Sequence, residues 1–360
     1  MRGSRLVLAA ICTFVLGAPQ AHPVGYASGG PAVSVSVYAT GLDNPRGMTF
    51  GPDGRLYVAE AGNGGETPPS TECTGPFAYY SGFTARISRI DRDGTRTTVS
   101  DGLPSAVDDF AGHWGVQDVA FIGTQLYALF VGGGCVRGHA DFPTSVLRVN
   151  AQTGQPTLVA DLIQYTITHP VAVPDPFDYE PEGSWWNLIA VGEELYTVNP
   201  NVADFVRVSP NGPVERVADL SAVYGSIVPT ALAYFGGFHV GNLSTFPMQA
   251  GASMIIRVGP RGQVKTTNTG LTAVLGLAYD RAHRPYVLQG TTIDGSFLSD
   301  PGEGSIVRIE PSGAITPIVS GLDYPASFTF GTDGDLYVTN NGFSPGSNGD
   351  GSIVRIRITD

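Results

Sequence analysis

The chain has 360 residues, more than one ordinary core needs, of which 42% are apolar and 14% charged, with 48 Gly and 27 Pro. That make-up favours many short strands and turns over long helices. A net charge of −12 at pH 7 argues against nucleic acid and anionic membrane surfaces as partners.

Residues 1–27 read as a secretory signal. Arg2 and Arg5 form a basic start, and the apolar run from Leu6 to Gly17 is too short to span a bilayer. Cleavage is expected after Ala21 or Ala27. Cys12 follows Ile11 where a lipoprotein signal needs a small residue. No later stretch is long and apolar enough to cross a membrane. A secreted or otherwise extracytoplasmic protein, periplasmic or extracellular, is the expectation. Signal removal leaves Cys73 and Cys135. In an oxidising compartment the pair suggests one disulfide, the alternative being two buried free thiols.

The stretch GLDNPRGMTFGPDGRLYVAEAG, Gly41 to Gly62, returns as GLDYPASFTFGTDGDLYVTNNG, Gly321 to Gly342. Such self-similarity marks a repeat architecture. A second signature, branched apolar residues around an Arg, recurs at Arg89, Arg148, Arg207, Arg257, Arg308 and Arg355. The spacing is near that of a propeller blade, about fifty residues.

Four short strands can be read in each unit. The first are Gly47–Phe50, Val116–Phe121, Asn187–Val191, Ala231–Tyr234, Gly276–Tyr279 and Ser327–Phe330. The second are of the Leu56-Tyr57-Val58 type, and the third carry the Arg. Asp53-Gly54 supplies a hairpin turn. The sixth unit stops after its third strand, whereas Val37 to Leu42 aligns with a fourth strand, Pro317 to Leu322. The fold expected is therefore all-β, a single six-bladed β-propeller over residues 33–360, its N-terminal strand closing the last blade and removing an open edge.

Turns on one face are short, as at Gly51–Gly54 and Asp333–Gly334. The long insertions, Ala61–Thr84, Gly132–Thr144, Gln164–Trp186, Asn242–Ser253, Gly290–Gly304 and Gly342–Gly351, fall on the other. Long loops on a rigid scaffold are the usual place for binding or catalysis. Glu60, Asn199, Asn242 and Asn341 end second strands and are expected to face the central channel, where carboxylates and amides suit calcium or magnesium. The bland alternative is that loop Asp and Asn form turns. Arg46, His113 and Asp118 are further candidates on this face. Trp185 and Trp186 offer stacking surfaces for a planar or sugar ligand, or a lid packed on the scaffold. His113 with Asp118, or His139 with Asp141, is an acid–base couple by proximity in sequence. The tyrosines Tyr57, Tyr127, Tyr196, Tyr286 and Tyr337 are expected to pack between blades.

Gly41 to Gly47, Gly51 to Gly62, Gly102 to Ser105 and, most specifically, Val228-Pro229-Thr230 followed by Gly241-Asn242-Leu243-Ser244-Thr245-Phe246-Pro247 and Gly251-Ala252 carry a resemblance to the ScyD/ScyE family. It covers nearly all of the mature chain. It implies an extracytoplasmic six-bladed propeller of NHL/TolB-like kind and little about reaction. Asn242 stands where the family usually has an acid, and Asn199 to Asp204 replaces its "DAGGN" segment.

The function expected is binding of a small ligand or an exported protein or glycan on the loop-rich face by a monomer, around a divalent cation where one is held. One rival is a metal-dependent lactonase with Glu60, Asn199 and Asn242 as ligands. Another is a quinoprotein sugar dehydrogenase, which needs a cationic, aromatic pocket.

Overall fold

A cross-strand pair is the unit from which the molecule is built. The aromatic ring of each second strand lies opposite the Arg of the third: Tyr57 faces Arg89, Tyr127 Arg148, Tyr196 Arg207, Tyr286 Arg308 and Tyr337 Arg355, with His239 opposite Arg257 in the one unit lacking Tyr. The guanidinium of Arg308 lies 6.0 Å above the Tyr286 ring and that of Arg355 5.7 Å above Tyr337. The same tyrosines meet first-strand aromatics of the next blade edge-on. Tyr57 packs on Phe121 at 4.9 Å, Tyr286 on Phe330 at 5.2 Å and Tyr337 on Phe50 at 5.1 Å. Each such pair adds roughly 0.5–1.5 kcal/mol beyond the area it buries.

This computed structural model describes residues 25–26 and 31–359, apart from 71, 74, 76, 110–111, 177–179, 297, 299 and 344–348. Their strands form six antiparallel sheets. The innermost strands are Pro45–Phe50, Val116–Ile122, Trp186–Val191, Pro229–Tyr234, Val274–Tyr279 and Phe328–Phe330. Each touches the next around a ring, and the last touches the first. The chain is a six-bladed β-propeller. Ala32–Leu42 pairs along its length with the C-terminal strand Gly351–Thr359, so the two ends of the chain share blade six.

The recurrent turn has a physical reason. In Gly51-Pro52-Asp53-Gly54 the Asp53 carboxylate accepts from the Arg55 N–H and the Tyr57 hydroxyl. A Cβ on Gly51 would lie 2.6 Å from the Tyr57 ring. Gly331, Asp333 and Tyr337 repeat the arrangement, with a Tyr337 Oη to Asp333 Oδ2 distance of 2.9 Å.

Several details differ from expectation. Blade one is drawn out into a long hairpin, Tyr79–Ile90 with Arg96–Asp108, and takes a fifth strand, His113–Trp114. The insertion expected to reach Thr84 therefore ends earlier, because backbone pairing continues past the blade. The insertion after Gln164 includes most of a helix, Leu162–Thr168, which Asp161 caps through the Gln164 N–H. Gly25–Tyr26 joins the outer edge of blade five opposite Val319 and Ser320. A cut after Ala21 would keep that strand and a cut after Ala27 would remove it. The expected basic start and apolar run of the signal lie outside the described residues. Among the described residues no helix is long and apolar enough to cross a membrane.

Candidate functional site

The polar residues at the axis arise from a repeated irregularity. Five innermost strands slip register near their starts: between Pro45 and Met48, Val116 and Asp118, Trp186 and Leu188, Pro229 and Ala231, and Val274 and Gly276. A bulge re-aims the side chains beside it. The residues left out of register at these bulges are Arg46 and Gly47, Gln117, Asn187, Thr230 and Leu275, with Trp186 at the edge of its bulge.

Arg46 is the charged member of this layer, 2% exposed. Its Nη2 donates to the His113 carbonyl at 2.7 Å. Its Nε and Nη1 are buried and have no hydrogen-bond partner among the described residues. The guanidinium carbon lies 4.0 Å from the centre of the Phe343 ring and 5.8 Å from that of Trp186. These two rings stack on each other, 5.4 Å apart and 11° from parallel. Trp186 belongs to blade three and Phe343 follows the second strand of blade six, the opposite blade, so the stack lies across the axis at the loop-rich end. Burial pulls the Arg46 guanidinium down to about 9, against the opposing charge of Asp108. A desolvated cation with two unmet donors is costly unless something acidic meets it.

One step further in sits Asp118, 3% exposed. One oxygen accepts from the Val119 N–H at 2.8 Å. The other accepts from the Leu188 N–H at 2.7 Å and Asn187 Nδ2 at 2.8 Å. Asn187 passes the latch on, its Oδ1 accepting from the Leu232 N–H at 2.7 Å. Blades two, three and four are thus tied at the axis. Gly47 is required beside them, since a Cβ there would lie 1.8 Å from Asp118 Oδ1. Burial raises the Asp118 carboxyl to about 6, although its three donors pull the other way. Asp118 therefore ties blades together and forms no couple with His113.

The residues expected to ligate a metal are engaged elsewhere. The Glu60 carboxylate accepts from the Asp43 N–H at 2.7 Å, Arg86 Nε at 3.0 Å and the Ser88 hydroxyl. It points outward to the third strand of its blade. Asn242 accepts from the Met254 N–H at 2.7 Å and donates to the Ile227 carbonyl at 2.9 Å. Asn199 accepts from the Asn201 N–H at 3.1 Å. Asn341 does not end its strand. The residue in register with Glu60 is Asn340, which accepts from the Asp323 N–H at 2.9 Å, while Asn341 donates to the Asp350 carbonyl. The shared task at this position is to accept a backbone N–H. Gln289 does the same for Thr272 at 2.8 Å. Among the described residues no three His, Cys, Asp or Glu side chains converge on one point, and Glu60, Asn199 and Asn242 each commit a side-chain oxygen to a backbone N–H.

The two tryptophans part company. Trp185 is fully buried in the packing between blades two and three and lines no channel; Trp186 alone reaches the axis. His139 bonds through Nε2 to the Ser105 carbonyl at 3.1 Å rather than to Asp141. Cys73 and Cys135 are joined in a disulfide, Cα atoms 5.8 Å apart. Beside it lies a group that the sequence reading did not single out. Arg137, fully buried, lies 3.2 Å from Glu180 Oε2 and 4.4 Å from the Trp114 ring centre, and Glu180 Oε1 accepts from the Tyr79 hydroxyl at 3.1 Å. Burial raises the Tyr79 phenol. The disulfide and this ion pair bind the insertions of blades one and two and the segment before Trp185 into one body. Spacing could not reveal it, because Tyr79, Trp114, Arg137 and Glu180 come from four separate stretches of the chain.

Two cavities among the described residues bear on the site. One of about 470 Å³ lies off the axis among Pro170, Pro174, Pro176 and Asp204. There Asp204, raised to about 6 by burial, is held by Arg216 and Tyr165. The other, about 610 Å³, runs along the axis from Asp118 to the short-turn face.

No protein-family model matches the chain, and no curated protein does. Solved structures do. A gluconolactonase from Xanthomonas campestris matches with a TM-score of 0.55 at 12% identity, over 95% of this chain and 99% of that one. The PQQ-bound aldose sugar dehydrogenase of Streptomyces coelicolor matches with a TM-score of 0.53 at 15% identity, over 91% and 99%. The PQQ domain of a pyranose dehydrogenase from Coprinopsis cinerea matches with a TM-score of 0.54 at 13% identity, over 95% and 99%. At these identities the likeness establishes the six-bladed propeller fold.

Proposed function

We propose that this chain is an exported, monomeric ligand-binding propeller of the ScyD/ScyE kind that takes a small molecule bearing an acidic group at the loop-rich end of its axis. The observation that carries this is Arg46, buried with Nε and Nη1 unpaired beneath the Trp186–Phe343 stack. An acidic group would meet the two open donors, and the rings would hold a planar or sugar body. Phe343 covers the guanidinium and must turn aside for entry. The Cys73–Cys135 disulfide supports an oxidising compartment.

A second reading is favoured by the same cluster. A quinoprotein sugar dehydrogenase needs a cationic, aromatic pocket, and Arg46 with Trp186 and Phe343 is one. Arg46 would hold an acidic group of the quinone, and the bound quinone would supply the oxidant for a sugar. The lactonase reading loses ground because Glu60, Asn199 and Asn242 already serve the backbone.

The test is a thermal-shift screen of small carboxylates and pyrroloquinoline quinone against the wild type and Arg46→Ala. Stabilisation of the wild type that is lost in Arg46→Ala supports the site. Equal shifts in both proteins, or none in either, would sink it. Sugar oxidation that appears only with the quinone added would select the second reading.

A further inference from the structure

The axial cavity on the short-turn side has a lining that the loop-rich site does not use. Hairpin closure fixes its chemistry. The Gly51 N–H donates to the Arg55 carbonyl, and pairs alternate from there, so Thr49 exchanges hydrogen bonds with Tyr57 while Met48 and Phe50 do not. The N–H and C=O groups of Met48 therefore turn away from the second strand, toward the axis. Leu277 opposite Val287 and Phe328 opposite Val338 hold the same place, as do Val119, Leu188 and Leu232.

Three of these six N–H groups are met by Asp118 and Asn187. The other three are not met in that way. The preceding blade's residue at the latch position is Ala231 for Leu277, Gly276 for Phe328 and Ser327 for Met48, none of which carries a carboxylate or amide. Half of the ring is latched by side chains, whereas among the described residues no side chain takes the N–H groups of Met48, Leu277 and Phe328, which turn toward the cavity. Backbone donors and acceptors that face a cavity are free to bond water or a ligand there. Inward carbonyls alternate with these donors, and the intervening residues include Thr49, Thr329 and Ala278, small enough to leave the strand edges bare. At the mouth Tyr234 is 51% exposed, and Phe235, 41% exposed, packs on Tyr279 of the lining at 5.1 Å.

We propose that this half-latched cavity is a second binding site, for a neutral polyhydroxylated molecule of monosaccharide size. A hydroxyl both donates and accepts, which matches interleaved N–H and C=O groups. An anion would face Asp118 and the inward carbonyls, and a cation would face the open N–H groups. The volume of about 610 Å³ lies in the range of small-ligand sites, roughly 300–1,000 Å³. The exposed rings at the rim offer a face for a sugar.

The test is a calorimetric titration of the full chain with glucose, and with gluconate as the charged counterpart. The wild type should bind glucose saturably in the millimolar range and gluconate at least about tenfold more weakly, a difference of about 1.4 kcal/mol. Ser327→Asn and Ala231→Asn copy Asn187 and supply the missing acceptors for Met48 and Leu277. Each should weaken glucose at least about tenfold while leaving the melting temperature unchanged or raised. Phe235→Ala, a change at an exposed rim, covers the case in which the axial variants do not fold, and should weaken glucose as well. Benzoate, a planar carboxylate of the kind expected at the loop-rich end, should not displace glucose, which separates the two sites. Absence of saturable glucose binding by the wild type would overturn the proposal. So would unchanged affinity in the folded Ser327→Asn and Ala231→Asn variants, or, where those do not fold, in Phe235→Ala.

Discussion

Arg46 sets a test that stability alone can read. A buried cation with unmet donors is a burden on the free protein, tolerated where ligand binding offsets it. Arg46→Met keeps the stem and removes the charge. It should raise unfolding free energy by about 1–4 kcal/mol in urea while losing the carboxylate response. If Arg46 only held the loops together, the same change would destabilise. Asp118 carries the pH prediction. Its carboxyl is raised to about 6, above the unfolded value near 3.9. The folded state then binds the extra proton between those values, so this contribution favours folding at the acidic end and is lost as pH rises through about 6. Asp118→Asn should show a smaller fall in stability than the wild type between pH 4 and pH 6, measured by denaturant midpoints. An identical slope would contradict the assignment. Asp204, raised likewise, leaves a residual slope in the variant.

At the scale of elements, the first strands were legible because Gly51, Asp53 and Tyr57 recur with their partners as Gly331, Asp333 and Tyr337. Each triad is bound within a few residues, so spacing alone reveals it. Glu60 was legible as an important position and misplaced in role. Sequence shows that an oxygen-bearing side chain ends the strand, but not that a loop N–H seventeen residues upstream takes it. The Trp186–Phe343 stack was half visible, because its second member arrives from the opposite blade. Trp185 looked equivalent to Trp186, yet it precedes the strand Trp186–Val191 and is buried in the packing of blades two and three. The Cys73–Cys135 bridge joins positions 62 residues apart. Chain-entropy reasoning gives its removal a cost of about 4 kcal/mol. Cys73→Ser with Cys135→Ser should lower the unfolding midpoint accordingly. The loss should concentrate in the loop body around Arg137, read as faster amide exchange at Tyr79 and Val136 than in blades four to six. Uniform exchange across the ring would contradict that placement.

Taken whole, the molecule is a ring whose closure depends on one late-meeting pair. Ala32–Leu42 and Gly351–Thr359 come together only when both ends of the chain are present. Removing residues 32–40 leaves blade six with an open edge and uncovers Val354 and Ile356, both at most 5% exposed. That variant should lose cooperative unfolding and aggregate, as seen by calorimetry and size-exclusion chromatography. A soluble monomer with a sharp transition would show that closure is dispensable. The ring also explains why fold was readable and ligand was not. Six repeats print the scaffold six times, whereas the axis is assembled from single, unrepeated residues at each bulge.

The most direct measurement is a titration of the purified chain with benzoate, a planar carboxylate, followed by intrinsic tryptophan fluorescence. Trp186 lies on the axis beside Arg46, so the wild type should give a saturable change that is absent in Trp186→Phe and weakened at least about tenfold in Arg46→Gln. A response unchanged in both variants, or no saturable response in the wild type, would contradict a site built on Arg46.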